Sequence, residues 1–212
     1  MITVMVSLKF YKKNKIGFLV LNRPPKNEMD AVFFAELSHF LKNILPPLKL
    51  KGLIVTGEGR HFSSGANVDE LSEFARKKDF SYFENNINYL ESLSLYPFPV
   101  VAVINGLCFG SAFELALSCH YRIASERALF SLPEITFNLM PGCGGTYFLP
   151  KLIGKTKSID LILSGRSIFA VEALELGIID IIADKCKIME KALSLINKLN
   201  GLYGYHYENP VN

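Results

Sequence analysis

Apolar residues fall in two rhythms along this chain. Short continuous runs rich in Val, Ile and Leu, such as Gly52 to Thr56 (GLIVT) and Val100 to Ile104 (VVAVI), predict buried strands. Elsewhere the apolar positions recur every three or four residues and predict helices, as with Val32, Phe33, Leu37, Phe40 and Leu41 between Asp30 and Ile44, or Ile188, Ala192, Leu195, Ile196 and Leu199 between Lys185 and Asn200. In chain order, strands at Thr3 to Tyr11 and Ile16 to Asn22 form an opening hairpin, and Pro46-Pro47 stop the first helix. The GLIVT strand runs into a glycine loop, Gly57 to Gly65, and helices follow at Val68 to Arg76 and Ser81 to Leu95. Beyond Val100 the pattern predicts a strand at Tyr121 to Ala124, a helix opened by Pro141 to Thr146, helices at Lys157 to Leu163 and Val171 to Leu176, a strand at Asp180 to Ala183 and the closing helix. Strands that alternate with helices predict a parallel α/β layer.

Two stretches carry candidate chemistry. In Val100 to Cys119 (VVAVINGLCFGSAFELALSC) a buried strand ends at Asn105-Gly106, and Gly110 leads into an apolar helix that holds one carboxylate, Glu114. The first N–H groups of a helix have no intrahelical partner, so they can hold developing negative charge while an acid one turn further in moves a proton. The loop GEGRHFSSGANVDEL repeats the arrangement, with Gly65 opening a helix near Asn67. Each stretch alone is also what a packing turn would look like, with Ser63 and Ser64 as plain caps.

Composition narrows the picture. A chain of 212 residues suits one domain, with a core over residues 1–183 and a closing helix and tail over 184–212. Twenty-three basic against 20 acidic side chains give a net charge of +3 without a basic block, which excludes a nucleic-acid surface. Cys108, Cys119, Cys143 and Cys186 lack metal-ligand spacing, and the four histidines are scattered, so no metal is expected and a reducing, cytoplasmic setting is. The N-terminal apolar stretch precedes Lys12 and Lys13, the reverse of a secretory signal, and the apolar run from Pro97 is broken too often to span a membrane. Gly154-Lys155-Thr156 lacks the rest of a P-loop, and no Gly-x-Ser-x-Gly elbow is present. Phe74, Phe80, Tyr89 and Phe137 fit a pocket lining or an ordinary core equally well.

Four stretches in order, FSSGANVDEL (62–71), VVAVINGLCFGSAFELAL (100–117), FSLPEITFNLMPGCGGTYFLPKLIG (130–154) and LILSGRSIFAVEALELGIID (161–180), resemble the crotonase superfamily, the enoyl-CoA hydratase/isomerase family. The resemblance implies an α/β spiral of ββα units, a coenzyme A thioester as substrate with no further cofactor, and an oxyanion hole from the backbone N–H groups of Ala66 and Ser111. It implies Glu114 and Glu134 as the acid-base pair, with Gly65, Asn67, Gly110 and Gly142 around the substrate. It also implies a homo-oligomer, a trimer in the family. Retention of both glutamates favours hydration of a 2-enoyl-CoA. The alternatives on the same scaffold are Δ3,Δ2-enoyl-CoA isomerisation, or dehydration or decarboxylation of chains borne by CoA or an acyl carrier protein. The chain closes at Asn212, soon after the helix ending near Asn200, where family members continue into further helices. That shortened C-terminal region motivates a different class, a non-catalytic binding protein on the same fold.

Overall fold

The computed structural model describes residues 2–70 and 81–203. A seven-stranded sheet, in the order β1-β2-β3-β4-β5-β7-β10, forms its centre. Strands β1 (Ile2–Val4), β2 (Leu8–Lys13) and β3 (Ile16–Leu21) pair antiparallel, whereas β3, β4 (Gly52–Gly57), β5 (Val100–Ile104), β7 (Tyr121–Ser125) and β10 (Ile181–Ala183) run parallel. The expected first strand is split in two, because residues 5–7 turn and the Glu36 carboxylate accepts the N–H groups of Val6, Ser7 and Leu8.

Alternate residues of a strand point to opposite faces, and both faces of the parallel strands are covered. Leu19, Leu21, Leu53, Val55, Val100, Ala102 and Ile104 pack into the larger core beneath the early helices. Ile16, Phe18, Ile54, Val101, Val103 and Ile123 face the other way, onto Ile188, Ala192 and Ile196 of the C-terminal helix (Ile188–Tyr203). The period-four spacing of those three residues lays that helix along the sheet. Contact is close enough that a Cβ on Gly52 would stand 2.7 Å from Ile196 Cγ2.

The first helix, Ala31–His39, is capped by the Asp30 carboxylate on the Phe33 N–H and ends in a short π-helical turn, Phe40–Ile44. A second sheet joins β6 (Leu107–Phe109), β8 (Leu129–Ser131) and β9 (Ile168–Phe169). This small sheet departs from the sequence expectation. The stretch between Gly106 and Gly110 is a strand rather than a bare turn, since β6 finds a parallel partner in β8, distant in sequence. Of the helix expected over Val68 to Arg76, only residues 68–70 are described, and Leu71, Phe74 and Phe80 lie outside the described residues. Phe137 is exposed, whereas Tyr89 is half-buried, packing against the larger core on one side and lining a surface cleft with Leu41, Lys42 and Tyr96 on the other.

The central helix, Ser111–Ser118, is buried at all eight positions. Its C-terminus is held by the buried Arg122, which donates to the carbonyls of Ala116, Cys119, His120 and Ile178 and pairs with Asp180. A buried guanidinium is tolerable only because nearly every N–H has an acceptor. Replacing Arg122 by Met takes the guanidinium donors away from these carbonyls, of which, among the described residues, only that of Ala116 keeps another, the Cys119 N–H, and a stability loss of roughly 3–5 kcal/mol is expected in urea unfolding. A loss below about 1 kcal/mol, the scale of an ordinary surface change, would contradict this role.

Candidate active site

The site lies at the carboxyl ends of β4 and β5, where parallel α/β sheets usually bind ligands. Residues 57–67 leave β4 and fold back so tightly that a Cβ on Gly57 would come within 2.2 Å of the His61 and Phe62 carbonyl oxygens. Asn27, buried and at positive φ, staples the loop by donating Nδ2 to the carbonyls of Glu58, His61 and Phe62 while its Oδ1 accepts the Arg23 N–H.

The loop then runs parallel to the segment that follows β5. Phe62 N–H donates to Asn105 O (2.7 Å), Ser63 N–H to Leu107 O (3.0 Å) and Phe109 N–H to Ser63 O (3.2 Å). Ser63 pairs with Cys108 in this short ladder, and three residues further on each segment reaches Met29, Ala66 by a backbone bridge and Ser111 by its hydroxyl 3.6 Å from Met29 Sδ. Two glycines let the backbones close. Gly65 has φ +92°, and a Cβ there would stand 2.5 Å from Phe109 O; Gly110 has φ +52°, a region that side chains rarely adopt.

The N–H of Gly65 is taken by Ser63 Oγ and that of Gly110 by Ser131 O. The next N–H in each segment is left over. Among the described residues neither the Ala66 N–H nor the Ser111 N–H meets an acceptor. Ser111 is the first residue of the central helix, so its free donor follows from helix geometry.

Glu114 sits one turn into that helix, 1% exposed. Its Oε1 accepts the N–H groups of Cys143 (2.8 Å) and Gly145 (2.7 Å). These donors come from the turn before the helix Gly145–Ile153, where Gly144 has φ +111° and the absence of a side chain on Gly145 admits the carboxylate. Glu134 enters from the other side, on the 3-10 turn Pro133–Phe137 that follows β8. A Cβ on Gly110 would lie 3.1 Å from Glu134 Oε1, which places this carboxyl group beside the entrance of the central helix. Glu134 Oε2 is buried without a hydrogen-bond partner.

The two carboxyl groups differ for a physical reason. Burial pushes Glu114 up to about 7, against which the Gly145 and Cys143 N–H groups favour its ionised form. Burial pushes Glu134 up to about 8, and the nearby Glu114 charge adds to that rise. Burial also raises the Cys143 thiol, with both carboxylates contributing. The pair therefore favours one ionised and one protonated member near neutrality, with Glu114 the better-stabilised anion.

The residues singled out in the sequence do not all sit alike. Gly65 lies against Phe109 and Gly110, Glu134 lies beside Gly110, and Ser111 and Glu114 stand on the helix that Gly110 opens. Gly142 lies in the Pro141–Gly144 turn, one residue before the Cys143 donor. Asn67 is occupied elsewhere: its Oδ1 accepts the Glu70 N–H as a helix cap and its Nδ2 reaches Glu28. The Cys143 and Gly145 donors were missed, although Pro141-Gly-Cys-Gly-Gly is the kind of sequence that frees N–H groups at a helix entrance. Among the described residues no cluster of three or more His, Cys, Asp or Glu could hold a metal ion, and no helix is long and apolar enough to cross a membrane.

Comparison with known proteins agrees with this architecture. Residues 11–208 match the family model described as enoyl-CoA hydratase/isomerase. A probable enoyl-CoA hydratase of Bacillus subtilis is 36% identical over 185 residues, covering 86% of this chain and 72% of that protein. The peroxisomal bifunctional enzyme of Pongo abelii is 36% identical over 177 residues, covering 84% of this chain, which spans only 24% of that enzyme's length. Among solved structures, an enoyl-CoA hydratase from Bacillus anthracis superposes with a TM-score of 0.84 at 32% identity, over 91% of this chain and 76% of that one.

Retaining a proton on Glu134 has a measurable consequence. The folded state holds it up to about pH 8, whereas an unfolded chain releases it near the ordinary 4.5. Between those values the native state binds more protons than the unfolded one, so this group's contribution to stability is complete at low pH and is lost as pH rises through the folded value. Glu134→Gln is expected to remove that loss, so that calorimetry shows the variant gaining thermal stability on the parent as pH rises from about 4.5 to about 8, with the difference level above that. A difference that does not change with pH would contradict the assignment.

Proposed function

Because this chain belongs to the enoyl-CoA hydratase/isomerase family, we propose that it adds water across the double bond of a 2-enoyl thioester of coenzyme A. The observation that carries this reading is the asymmetric pair of buried carboxyl groups, one with an oxygen held by two backbone donors from another segment and one with an oxygen that has no partner, beside two free N–H groups that each follow a glycine. An isomerase needs only one acid-base group at the enolate. Adding water needs a base for the water and an acid for the carbon.

The steps follow from the geometry. The thioester oxygen accepts the Ala66 and Ser111 N–H groups. Ionised Glu114 takes a proton from water as the water oxygen bonds to C3, and the electron pair of the double bond moves onto the thioester oxygen as an enolate. Two aimed backbone donors are suited to that charge, and removing one such donor typically costs about 2.7–4 kcal/mol in the transition state. Protonated Glu134 then gives its proton to C2 and the enolate collapses to the 3-hydroxyacyl thioester. Glu114 has gained a proton and Glu134 has lost one, so exchange with solvent restores the starting pair. The two N–H groups on Glu114 Oε1 fix that oxygen, and in this reading Oε2 is the one that takes the proton from water.

The reading places the acyl chain on coenzyme A, with an acyl carrier protein as the alternative bearer, and needs no further cofactor. Mixing the protein with crotonyl-CoA is expected to bleach the enoyl absorbance. Glu114→Gln and Glu134→Gln are each expected to lower kcat by about 10²–10⁴-fold, the usual contribution of a positioned acid or base. Activity on a 3-enoyl-CoA that survives Glu114→Gln but not Glu134→Gln would instead make the protein an isomerase. No turnover of any acyl thioester would leave a binding protein on this fold.

A further inference from the structure

One titratable side chain joins the two backbone segments of the site without touching the substrate position. The ladder between residues 61–63 and 105–109 contains three backbone hydrogen bonds and one made by a side chain, from the Leu107 N–H to His61 Nδ1 at 3.1 Å. An acceptor at Nδ1 fixes the tautomer, since that nitrogen must be bare. The fit around the ring is close. A Cβ on Gly106 would stand 2.5 Å from His61 Nδ1 and 2.8 Å from Arg60 O, so a glycine at φ +58° is what lets the imidazole reach the turn. His61's own carbonyl is held by Asn27 Nδ2, which anchors the ring to the stapled loop.

We infer that His61 is the positioning residue of the two-donor hole: by accepting the Leu107 N–H it fixes the register in which the Ala66 and Ser111 N–H groups converge, and its protonation releases that contact. The two donors lie five residues after His61 and four after Leu107, each beyond a flexible glycine, so an error at this ladder reaches both. A protonated ring carries N–H on both nitrogens and turns a donor toward a donor. Partial burial holds the ring's pKa below the ordinary 6.5, and the charges of Arg60 and Lys185 act in the same direction, favouring the bare Nδ1. The link to catalysis rests on the proposed hydratase reading; the structural link does not.

Two variants separate an acceptor from mere filling. His61→Asn places an amide oxygen as many bonds from Cβ as Nδ1 and does not titrate, whereas His61→Phe keeps a ring and offers no acceptor. With crotonyl-CoA, His61→Phe is expected to lose about 10²-fold in kcat with KM nearly unchanged, the scale of a 1 Å misplacement of a catalytic group. His61→Asn should recover most of that, and its kcat should keep the acid-side fall set by Glu114 while losing the further fall that follows the His61 ring in the parent. In amide NMR of the substrate-free protein, the Leu107, Phe109, Ala66 and Ser111 signals should carry a titration step that coincides with the His61 ring signals in the parent and is missing in His61→Asn. Amides indifferent to the His61 titration, or a His61→Phe enzyme with the parent's kcat and pH profile, would overturn the inference. Amides that follow His61 in a protein that turns over no thioester would sink the hydratase reading and leave the positioning role standing.

Discussion

The site depends on how closely two backbone segments approach, one leaving β4 and one leaving β5. Their short parallel ladder is anchored where Ser63 pairs with Cys108, Met29 lies against both Ala66 and Ser111, and the near-contact of Gly65 with Phe109 O closes the gap. No side chain could occupy Gly65 without pushing the segments apart. Once the ladder is in place, the N–H groups of both glycines are consumed by Ser63 Oγ and Ser131 O, and the following N–H of each segment is left as a matched pair of free donors. The buried sheet behind supports this register, because β4 and β5 are themselves parallel neighbours with nearly every side chain packed on one of the two cores.

The acid-base groups are a second layer built on the first. Glu114 is carried by a helix that starts at one of the free donors, so its position is inherited from the ladder. Glu134 is carried by the turn after β8, and β8 is held in place by pairing with β6, the strand that continues the same ladder. Burying two carboxyl groups side by side costs stability unless at least one is neutral. Two backbone donors offset part of that cost at Glu114, and a retained proton avoids it at Glu134. The same physics that keeps the fold stable therefore favours one ionised and one protonated member, the division that the proposed hydration needs.

Much of this was legible from local sequence. The strands β3, β4 and β5 announce themselves as continuous apolar runs, and the C-terminal helix by the spacing of Ile188, Ala192 and Ile196. Gly65, Gly110, Glu114 and Glu134 stand in motifs whose order carries the family resemblance. What stayed hidden depends on contacts between residues distant in sequence. Leu107 to Phe109 reads as part of a turn until β8 comes alongside. Asn67 reads as a ligand-binding position, yet its amide caps its own helix and meets Glu28. His61 reads as a loop residue, and only the folded chain brings Leu107, 46 positions away, to its Nδ1.

The central claim is that two backbone N–H groups are aimed at a thioester oxygen. Infrared difference spectra of the protein with crotonyl-CoA isotope-labelled at the thioester carbonyl test it most directly, in the Glu134→Gln variant so that the bound species persists. Hydrogen bonds from Ala66 and Ser111 would polarise the carbonyl, and the account predicts a bound stretch well below that of the free thioester. A bound carbonyl that absorbs where the free one does would mean that the donors point elsewhere, and the account would fail at its first step.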